Sequence, residues 1–417
     1  MRSLNTCARC TVRTAMGALA LAWIATATGQ PPEYRVDLLG PASNVGGMNE
    51  AGDVVGGYDP PGPERKRAYV AGPNRPFQLL PLPAGYLSSV ASDINDAGVI
   101  VGGAAINGYP NEHGDGVVWT PNASGGYDVE VLGHLPGHTG SLAKSINNRG
   151  DIIGQSFYTT GLGPGVWFNS SSGIVNISLL FDAPTTVEDV NDSGLVVGFN
   201  GQMFDLNTLL PVPLPPGPLG LTGLYAVNNH NEVAGGYGTG NSGGAVRWTQ
   251  NLGWERVGLT SQSAMFAFDI NDDGVTVAET ILSYPWYFNV AVHFSEYGTL
   301  ALESLVAPDQ GNWLFIPTWG QAINNAGQIA AVGQNTATSE AGVVVLTPIR
   351  DSHRGDLNCD GAVNNFDVDP FVLALTDSEA YALQFPSCDA ANADANGDGL
   401  VNNFDVDAFV ALLQPQP

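Results

Sequence analysis

The chain has little charge of either sign and is particularly poor in basic residues. Of its 417 residues only 14 are Lys or Arg, against 40 Asp or Glu, and the formal net charge is −26. Nucleic acids and anionic lipids are bound by clustered cations, so this composition argues against both as partners. Charged residues make up only 13% of the chain, whereas it contains 53 glycines and 28 prolines. That balance favours a β protein with many turns.

Long hydrophobic runs are also missing. The apolar segment from Met16 to Ile24 is too short for a stable membrane span, and no later run reaches the roughly eighteen residues that a span needs. Three arginines precede this segment and small residues follow it. Residues 1–29 are therefore predicted to be a secretory signal peptide. We expect a secreted protein, extracellular or at the cell surface, without a membrane span.

Cysteine is scarce as well, with four residues in the chain. Cys7 and Cys10 would leave with the signal peptide, so Cys359 and Cys388 remain. In an oxidising compartment these two are predicted to form a disulfide. Two unpaired thiols are the alternative, because the sequence does not give the distance between them.

One phrase, roughly [IV]-N-x-x-G-x-[VI]-[VI]-G, recurs seven times between residues 34 and 348. Its asparagines are Asn49, Asn95, Asn147, Asn191, Asn228, Asn271 and Asn324. A spacing in the forties is typical of propeller blades. In each copy the Asn side chain is predicted to start a tight turn, and the residue three places later to be left-handed. That residue is Gly in six copies and Asn231 in the other.

Two more short apolar segments follow most of these hairpins, so a repeat contains four strands, as a propeller blade does. The seventh copy stops after its third strand, GVVVLTP, whereas residues 34–40, YRVDLLG, resemble a fourth strand. We therefore predict a mostly β protein with a seven-bladed β-propeller over residues 30–349, closed by this early strand. Six or eight blades, or a β-solenoid, are the alternatives.

The repeat region resembles the HAF-repeat family of secreted bacterial proteins, in which an IN-x-x-G-x-VVG hairpin precedes an aromatic strand. The resemblance rests on all seven hairpins. The family's His-Ala-Phe motif is replaced here by segments such as RAYV, GVVW and AVHF. The resemblance implies an extracellular propeller-like protein and does not imply an enzyme.

A twelve-residue phrase near the C-terminus occurs twice, as DLNCDGAVNNFD at 356–367 and DANGDGLVNNFD at 394–405. Calcium loops take side-chain oxygens at positions 1, 3, 5 and 12, a carbonyl at 7 and a glycine at 6. Both copies meet each requirement, so we predict two calcium ions. The predicted ligands are Asp356, Asn358, Asp360, Ala362, Asn364 and Asp367 in the first loop, and Asp394, Asn396, Asp398, Leu400, Asn402 and Asp405 in the second.

Two DxNxDGxxNxxD loops, each followed by a helical pattern, resemble a type I dockerin over about residues 353–414. The resemblance implies a small α-helical domain, residues 350–417, that folds around two calcium ions and docks onto a cohesin, usually to assemble polysaccharide-degrading enzymes. Asn365-Phe366 and Asn403-Phe404 stand where the family usually has Ser-Thr at its partner-reading positions. Calcium binding therefore carries over from the resemblance, whereas binding an ordinary cohesin does not, and the expected partner is a cohesin-like or other surface protein.

Apolar residues recur at helical spacing after each loop. They are Val368, Phe371, Val372 and Leu375 in the first copy, and Val406, Phe409, Val410 and Leu413 in the second. Thr376 is predicted to open a capping box for a further short helix that ends near Gln384. Pro370 is predicted to lie in a first helical turn capped by Asp369.

Four further patterns in the sequence are candidate active or binding sites. The glycine-rich segment 240–244 contains a GxSxG match but lacks the strand-to-helix context of a nucleophile elbow. His134 and His138 are separated by Pro136 and Gly137, which exclude a shared helical metal face. Acidic residues beside the motif asparagines could serve glycoside hydrolysis, although hairpin turns explain them.

Tryptophans are the fourth pattern. Trp119, Trp167 and Trp248 are predicted to occupy equivalent third-strand positions between blades, while Trp286, Trp313 and Trp319 could line a sugar-binding pocket. No catalytic residue is assigned. The sequence favours a noncatalytic binding or scaffold protein, and a polysaccharide hydrolase or carbohydrate-binding component is the alternative.

Overall fold

The structure is a computed structural model. It describes residues 31–62, 64–106, 114–159, 161–169, 172–180, 186–199, 201–214, 217, 221–238, 243–259, 264–282, 287–318, 320–349, 354–359, 363–385, 388, 390–396 and 400–413. The predicted signal peptide lies outside these residues. The described part is mostly β, with a small helical region near the C-terminus.

Within the described residues the strands form seven sheets, each a blade whose neighbouring strands are antiparallel. Strand β1 (Glu33–Gly40) comes first in the chain. The first three blades contain β2 (Asn44–Met48), β3 (Val54–Tyr58), β4 (Arg67–Gly72) and β5 (Arg75–Leu79), then β6 (Ser88–Ile94), β7 (Ile100–Ala105), β8 (Gly114–Pro121) and β9 (Tyr127–Gly133), then β10 (Gly140–Ile146), β11 (Ile152–Tyr158), β12 (Gly161–Asn169) and β13 (Gly173–Asn176).

Three more blades follow the same order. They contain β14 (Val187–Val190), β15 (Leu195–Gly198), β16 (Gln202–Asp205) and β17 (Leu210–Val212), then β18 (Leu221–Val227), β19 (Val233–Tyr237), β20 (Gly244–Thr249) and β21 (Gly253–Val257), then β22 (Ala264–Ile270), β23 (Thr276–Leu282), β24 (Tyr287–Phe294) and β25 (Gly298–Ala301). The seventh contains β26 (Trp313–Ile316), β27 (Ala322–Ile323), β28 (Ile329–Asn335) and β29 (Ala341–Ile349).

Strand β1 completes the seventh blade. It pairs antiparallel with β29, from Glu33 opposite Ile349 to Gly40 opposite Val343. Both β26 and β27 pair with β28, so the first strand of this blade is built in two pieces. The predicted seven-bladed propeller, closed by an early strand, is confirmed.

The turn chemistry of the repeated motif is also confirmed. All seven residues three places after the motif Asn have positive φ: Gly52 (78°), Gly98 (74°), Gly150 (85°), Gly194 (87°), Asn231 (61°), Gly274 (74°) and Gly327 (75°). The side-chain oxygen of each motif Asn accepts the N–H of the residue four places later, at 2.8–3.0 Å. Asn tolerates this left-handed position best after Gly, which explains the exception at Asn231.

The prediction that Trp119, Trp167 and Trp248 occupy equivalent third-strand positions is correct for two of the three. Trp119 pairs with Ile100 and Trp248 pairs with Val233, each five residues after a motif Asn. Trp167 pairs one residue further along its hairpin, so it is not equivalent to the other two. Because side chains alternate between the faces of a strand, this single step puts Trp167 on the opposite face of its blade.

The C-terminal region contains α1 (Val368–Thr376), α2 (Ser378–Gln384) and α3 (Asp405–Leu412). Short 3₁₀ turns lie at Ile177–Leu180, Leu302–Leu305, Pro308–Gln310, Asn365–Asp367 and Ala390–Ala393. None of the helices among the described residues is long and apolar enough to cross a membrane.

Two sequence predictions about the helix starts are wrong by one or two residues. Asp377, not Thr376, caps α2, because its side chain accepts the Ala380 N–H at 2.9 Å. Helix α1 begins at Val368 rather than after Asp369. Pro370 is consequently the third helical residue, where its missing N–H has no partner within the helix to lose.

The helical unit has a core of its own, in which the two copies meet. Phe371 of α1 and Phe409 of α3 stack with ring centroids 4.0 Å apart and planes 4° apart. Both rings are buried, whereas Val372 and Val410 beside them are half exposed. The predicted apolar face of each helix is therefore divided between a buried ring and an exposed valine.

Candidate functional sites

The seven motif asparagines form a closed ring around the propeller axis. Each side-chain Nδ2 donates to the main-chain carbonyl of the motif Asn in the next blade, and all seven residues are buried. The distances are 3.2 Å (Asn49 to Asn95), 3.1 Å (Asn95 to Asn147), 2.8 Å (Asn147 to Asn191), 2.8 Å (Asn191 to Asn228), 2.9 Å (Asn228 to Asn271), 3.1 Å (Asn271 to Asn324) and 3.2 Å (Asn324 to Asn49). Each side chain thus shapes its own turn and joins its blade to the next.

A second ring, more exposed than the first, lies one residue further along the motif. Its members are Glu50, Asp96, Asn148, Asp192, Asn229, Asp272 and Asn325. Each main-chain N–H donates to the side-chain oxygen of the equivalent residue in the next blade, at 2.7–3.1 Å. Partial burial, followed by the charges of Asp96 and Asp272, raises the pKa of Glu50. Asp96, Asp192 and Asp272, three of the acidic candidates for hydrolysis, are therefore acceptors that hold neighbouring blades in register.

Three further aspartates, each two residues before a motif Asn, lie in the second, fourth and sixth blades, and each links its own blade to the next one. One oxygen of Asp93 accepts the Ile146 N–H at 2.9 Å, and one oxygen of Asp269 accepts the Ile323 N–H at 2.8 Å. Asp189 does the same for Val227 at 2.8 Å. Their second oxygens accept the N–H of the following residue, at 2.8 Å each.

These carboxyls lie deep in the propeller while keeping part of their surface on the axial cavity. Burial, with a smaller contribution from the charge of Asp189, raises the pKa of both Asp93 and Asp269 to about 7. Burial raises the pKa of Asp189 as well. A perturbed carboxyl beside a cavity is a candidate acid or base. Both oxygens of each carboxyl also accept main-chain hydrogen bonds, so these residues have a structural role whether or not they take part in chemistry.

The axial cavity, of about 250 Å³, is lined by the first strands of all seven blades. In six blades the strand register shifts between the positions four and two residues before the motif Asn. A β-bulge of this kind re-aims the extra side chain. The bulged residues are Gly46, Ser92, Lys144, Glu188, Tyr225 and Phe268. The side chains of this layer range from Gly to Lys and Phe, whereas the first ring is Asn throughout and the second is Asn, Asp or Glu. This layer is therefore the part of the cavity that could distinguish ligands.

Two neighbouring members of that layer, Lys144 and Glu188, are charged, and the next two, Tyr225 and Phe268, are aromatic. The Lys144 ammonium lies 2.7 Å from both oxygens of Glu188. Burial and the charge of Glu188 raise the pKa of Tyr225 to about 12, so the phenol stays protonated. The Tyr225 and Phe268 rings are 5.9 Å apart. The layer thus places an ion pair beside two aromatic rings.

The two predicted calcium loops fold alike in their described residues. Asp367, at position 12, accepts the N–H of Asn358 at 3.1 Å and of Asn364 at 2.8 Å. Asp405 accepts the N–H of Asn396 at 3.0 Å and of Asn402 at 2.8 Å. Each loop thus closes on its last aspartate.

The side-chain oxygens of Asn364 and Asn402 accept the N–H groups of Phe366 and Phe404, at 2.8 Å each. Coordination at these two positions therefore has to use a second lone pair or a bridging water, as is common at position 9. The carbonyl of Leu400 already accepts a hydrogen bond from Asn402 Nδ2, at 3.1 Å.

The donor set of the loops fits calcium. Asp356, Asp367 and Asp405 are fully buried, and the sequence from Gly355 onward holds ten Asp and one Glu without any Lys or Arg. Buried carboxylates need a cationic partner or neutralisation. The predicted ligands Asp360, Ala362 and Asp398 lie outside the described residues. Among the residues that are described, no group of three or more His, Cys, Asp or Glu side chains is arranged to hold a metal.

Cys359 and Cys388 form a disulfide, with Cα atoms 5.6 Å apart. Of the remaining sequence candidates, His134 contacts Asp115 at 2.7 Å, and the ring of His138 lies 4.3 Å from that of Tyr158. Trp313 donates from Nε1 to the Gln310 carbonyl at 3.0 Å. Trp286, Trp319 and residues 239–242 lie outside the described residues.

Comparison with known proteins gives structural similarity alone. No protein-family model matches the chain, and no curated protein matches it. A structure of PorZ, an essential bacterial surface component of the type-IX secretion system of Porphyromonas gingivalis, is 13% identical, with a TM-score of 0.44 over 76% of this chain and 48% of its own.

Two further structures are similar at lower identity. The β-propeller domain of the Trilobed protease from Pyrococcus furiosus is 10% identical, with a TM-score of 0.35 over 63% of this chain and 84% of its own. Dipeptidyl peptidase 4 of P. gingivalis is 7% identical, with a TM-score of 0.36 over 72% and 51%. The chain spans about half the length of PorZ and of the peptidase. All three TM-scores are below 0.5, so the propeller assignment rests on the strand pairing itself.

Proposed function

We propose that this protein is a secreted, noncatalytic binding or scaffold protein whose C-terminal unit, residues 350–417, binds two calcium ions and attaches the propeller to another protein. The observation that carries the proposal is the shared geometry of the two loops. Each closes on a buried aspartate, Asp367 or Asp405, and the sequence from Gly355 onward has no Lys or Arg. Calcium would supply the positive charge that these carboxylates lack.

The attachment surface that we propose is the exposed apolar part of each copy. Phe366 and Phe404 are 78% and 81% exposed, and Val372 and Val410 are 51% and 49% exposed. The similar exposure of equivalent residues gives each copy the same apolar patch. Aromatic residues at such patches are typical anchors of protein interfaces. The partner is a cohesin-like or other surface protein with an apolar contact region.

Calcium binding is tested by titration calorimetry on the chain without residues 1–29. We expect two ions per chain, one after Asp356→Ala and one after Asp394→Ala. Asp369→Ala is the matched control, because Asp369 is an exposed aspartate of α1 outside the ligand positions. Two ions still bound by the Asp356→Ala, Asp394→Ala double variant would refute the assignment.

Attachment is tested by removing residues 350–417. The shortened protein should move from the cell envelope to the medium, and chelation of calcium should release the full-length protein in the same way. An unchanged distribution in both experiments would contradict the proposed attachment.

Polysaccharide hydrolysis is the second candidate, and the raised pKa of Asp93 and Asp269 beside the axial cavity is the observation that favours it. It predicts release of reducing sugar from plant or algal polysaccharides, abolished by Asp93→Asn. The noncatalytic proposal predicts carbohydrate binding at most, without turnover. Turnover that depends on Asp93 would reverse the preference between the two.

A further inference from the structure

The first calcium loop carries a covalent link that the second lacks. Cys359 is the fourth residue of the first loop, and its disulfide joins it to Cys388, a separation of 29 residues. Gly397 occupies the fourth position of the second loop. The two loops therefore share their ligand pattern, but only the first is cross-linked at its fourth residue.

Hydrogen bonds from outside the first loop hold its opening residues as well. Asn392 donates from Nδ2 to the carbonyl of Asp356 at 3.0 Å, and its own carbonyl accepts the Gly355 N–H at 2.8 Å. Tyr381 of α2 donates from its hydroxyl to the carbonyl of Leu357 at 2.9 Å. Asn392 and Tyr381 are both buried. The main chain at positions 1 and 2 is thus fixed by residues from later in the sequence.

We propose that the Cys359–Cys388 disulfide and Asn392 are positioning residues that hold the first loop near its calcium-bound shape, so that the first loop fills at lower calcium concentration than the second. The inference rests on the proposed calcium binding. A loop that is ordered beforehand loses less conformational freedom when it binds, which raises its affinity.

The first test separates the two loops by calorimetry in the chain without residues 1–29. Asp394→Ala, Asp405→Ala leaves the first loop as the reporter, and Asp356→Ala, Asp367→Ala leaves the second. Adding Cys359→Ser, Cys388→Ser should weaken binding by the first loop about tenfold or more, within the usual range of coupling between linked equilibria. Binding by the second loop should change less than about twofold.

Asn392→Ala keeps the disulfide, so it tests the same idea even if the cysteine variant does not fold. It should also weaken calcium binding by the first loop, by a smaller factor than the cysteine substitutions. Equal losses in both loops, or no loss in the first, would overturn the inference while leaving calcium binding intact. If neither loop binds calcium in any form, the proposed function fails with it.

The second test uses the reciprocity of coupled equilibria. Dithiothreitol supplies two electrons and two protons, converting the disulfide to two thiols while it becomes a cyclic disulfide. Calcium should shift this equilibrium toward the intact Cys359–Cys388 bond by the same factor, about tenfold, and Asp356→Ala, Asp367→Ala should abolish the shift. A reduction equilibrium indifferent to calcium would contradict the inference.

Discussion

Asn324 donates a hydrogen bond from Nδ2 to the main-chain carbonyl of Asn49, 3.2 Å away and 275 residues earlier in the sequence. An equivalent bond joins each of the six remaining pairs of neighbouring blades, so the bond from Asn324 to Asn49 closes the ring. Both residues are buried, with 3% and 5% of their surface exposed. The seventh blade is thus linked to the first by a side chain, in addition to taking β1, which directly precedes the first blade in the sequence, as its last strand.

Replacing Asn324 by Ala should lower the free energy of unfolding of the propeller by about 1–3 kcal/mol, because the Gln328 N–H loses its acceptor and the buried Asn49 carbonyl is left with the hydrogen bond from the Gly52 N–H. Asn324→Asp should cost a similar amount, since it keeps the turn acceptor but faces the Asn49 carbonyl with a carboxylate. Asn122→Ala is the control, as Asn122 bonds only within its own exposed hairpin. Urea unfolding measures all three, and equal midpoints for Asn324→Ala and the control would refute the role of the ring.

Gly150 tests the left-handed turn position on its own, because a Cβ added there would meet nothing within 4 Å and φ is +85°. Gly150→Asn should cost less than about 1 kcal/mol, as the native Asn231 already occupies the equivalent position. Gly150→Val should cost about 2 kcal/mol or more, since a β-branched residue is strained at positive φ. Thermal unfolding compares the two, and a valine tolerated as well as asparagine would contradict the turn geometry.

The pH dependence of stability should follow Asp93 and Asp269. Burial raises the pKa of each from 3.8 to about 7, so the folded state holds a proton that the unfolded state has released. The stability that these two carboxyls contribute is therefore fully present below about pH 4 and is lost as the pH rises through 7. Raising the pH from 5 to 8 should lower the free energy of unfolding by on the order of 2 kcal/mol for each carboxyl. Asp93→Asn should flatten this slope, and an unchanged slope would argue against the shift.

Phe371 and Phe366 separate folding from attachment in the helical unit. Phe371→Ala should destabilise the unit by about 3 kcal/mol or more, because it removes a buried stacked ring. Phe366→Ala should leave stability and calcium stoichiometry unchanged, because that ring is 78% exposed. It should instead weaken calcium-dependent retention on the envelope. Calorimetry and envelope fractionation distinguish the outcomes, and full retention of a Phe366→Ala, Phe404→Ala variant would remove these patches from the interface.

The local features of the propeller were predictable from sequence, because each is decided within a few residues. The Asn-x-x-Gly turns and the strands on either side follow from turn chemistry and apolar patterning alone. The closing strand was predictable because residues 34–40 resemble the fourth strand that the last repeat lacks. The helix caps were misplaced by a residue or two, since neighbouring Thr376 and Asp377 are both good capping residues.

The interblade contacts were not predictable in the same way. Six bonds of the asparagine ring join positions 37 to 53 residues apart and the seventh joins positions 275 apart, and such partners are defined only once the blades are assembled. One signal was available: Asn occurs in all seven motifs, whereas a turn alone would also accept Asp or Ser. The bulge that places Lys144 and Tyr225 on the cavity left no mark in the alternation of the sequence.

The pairing of β1 with β29 also governs the order in which the molecule can be completed. Each of the first six blades has all its strands within one continuous stretch and can form as soon as that stretch has been made. The seventh must wait, because Tyr34 finds its partner Pro348 only after about three hundred intervening residues have emerged. During that interval β1 is an unpaired strand in the open, and such edges invite association between chains. A chain that stops before residue 341 would carry this exposed strand permanently.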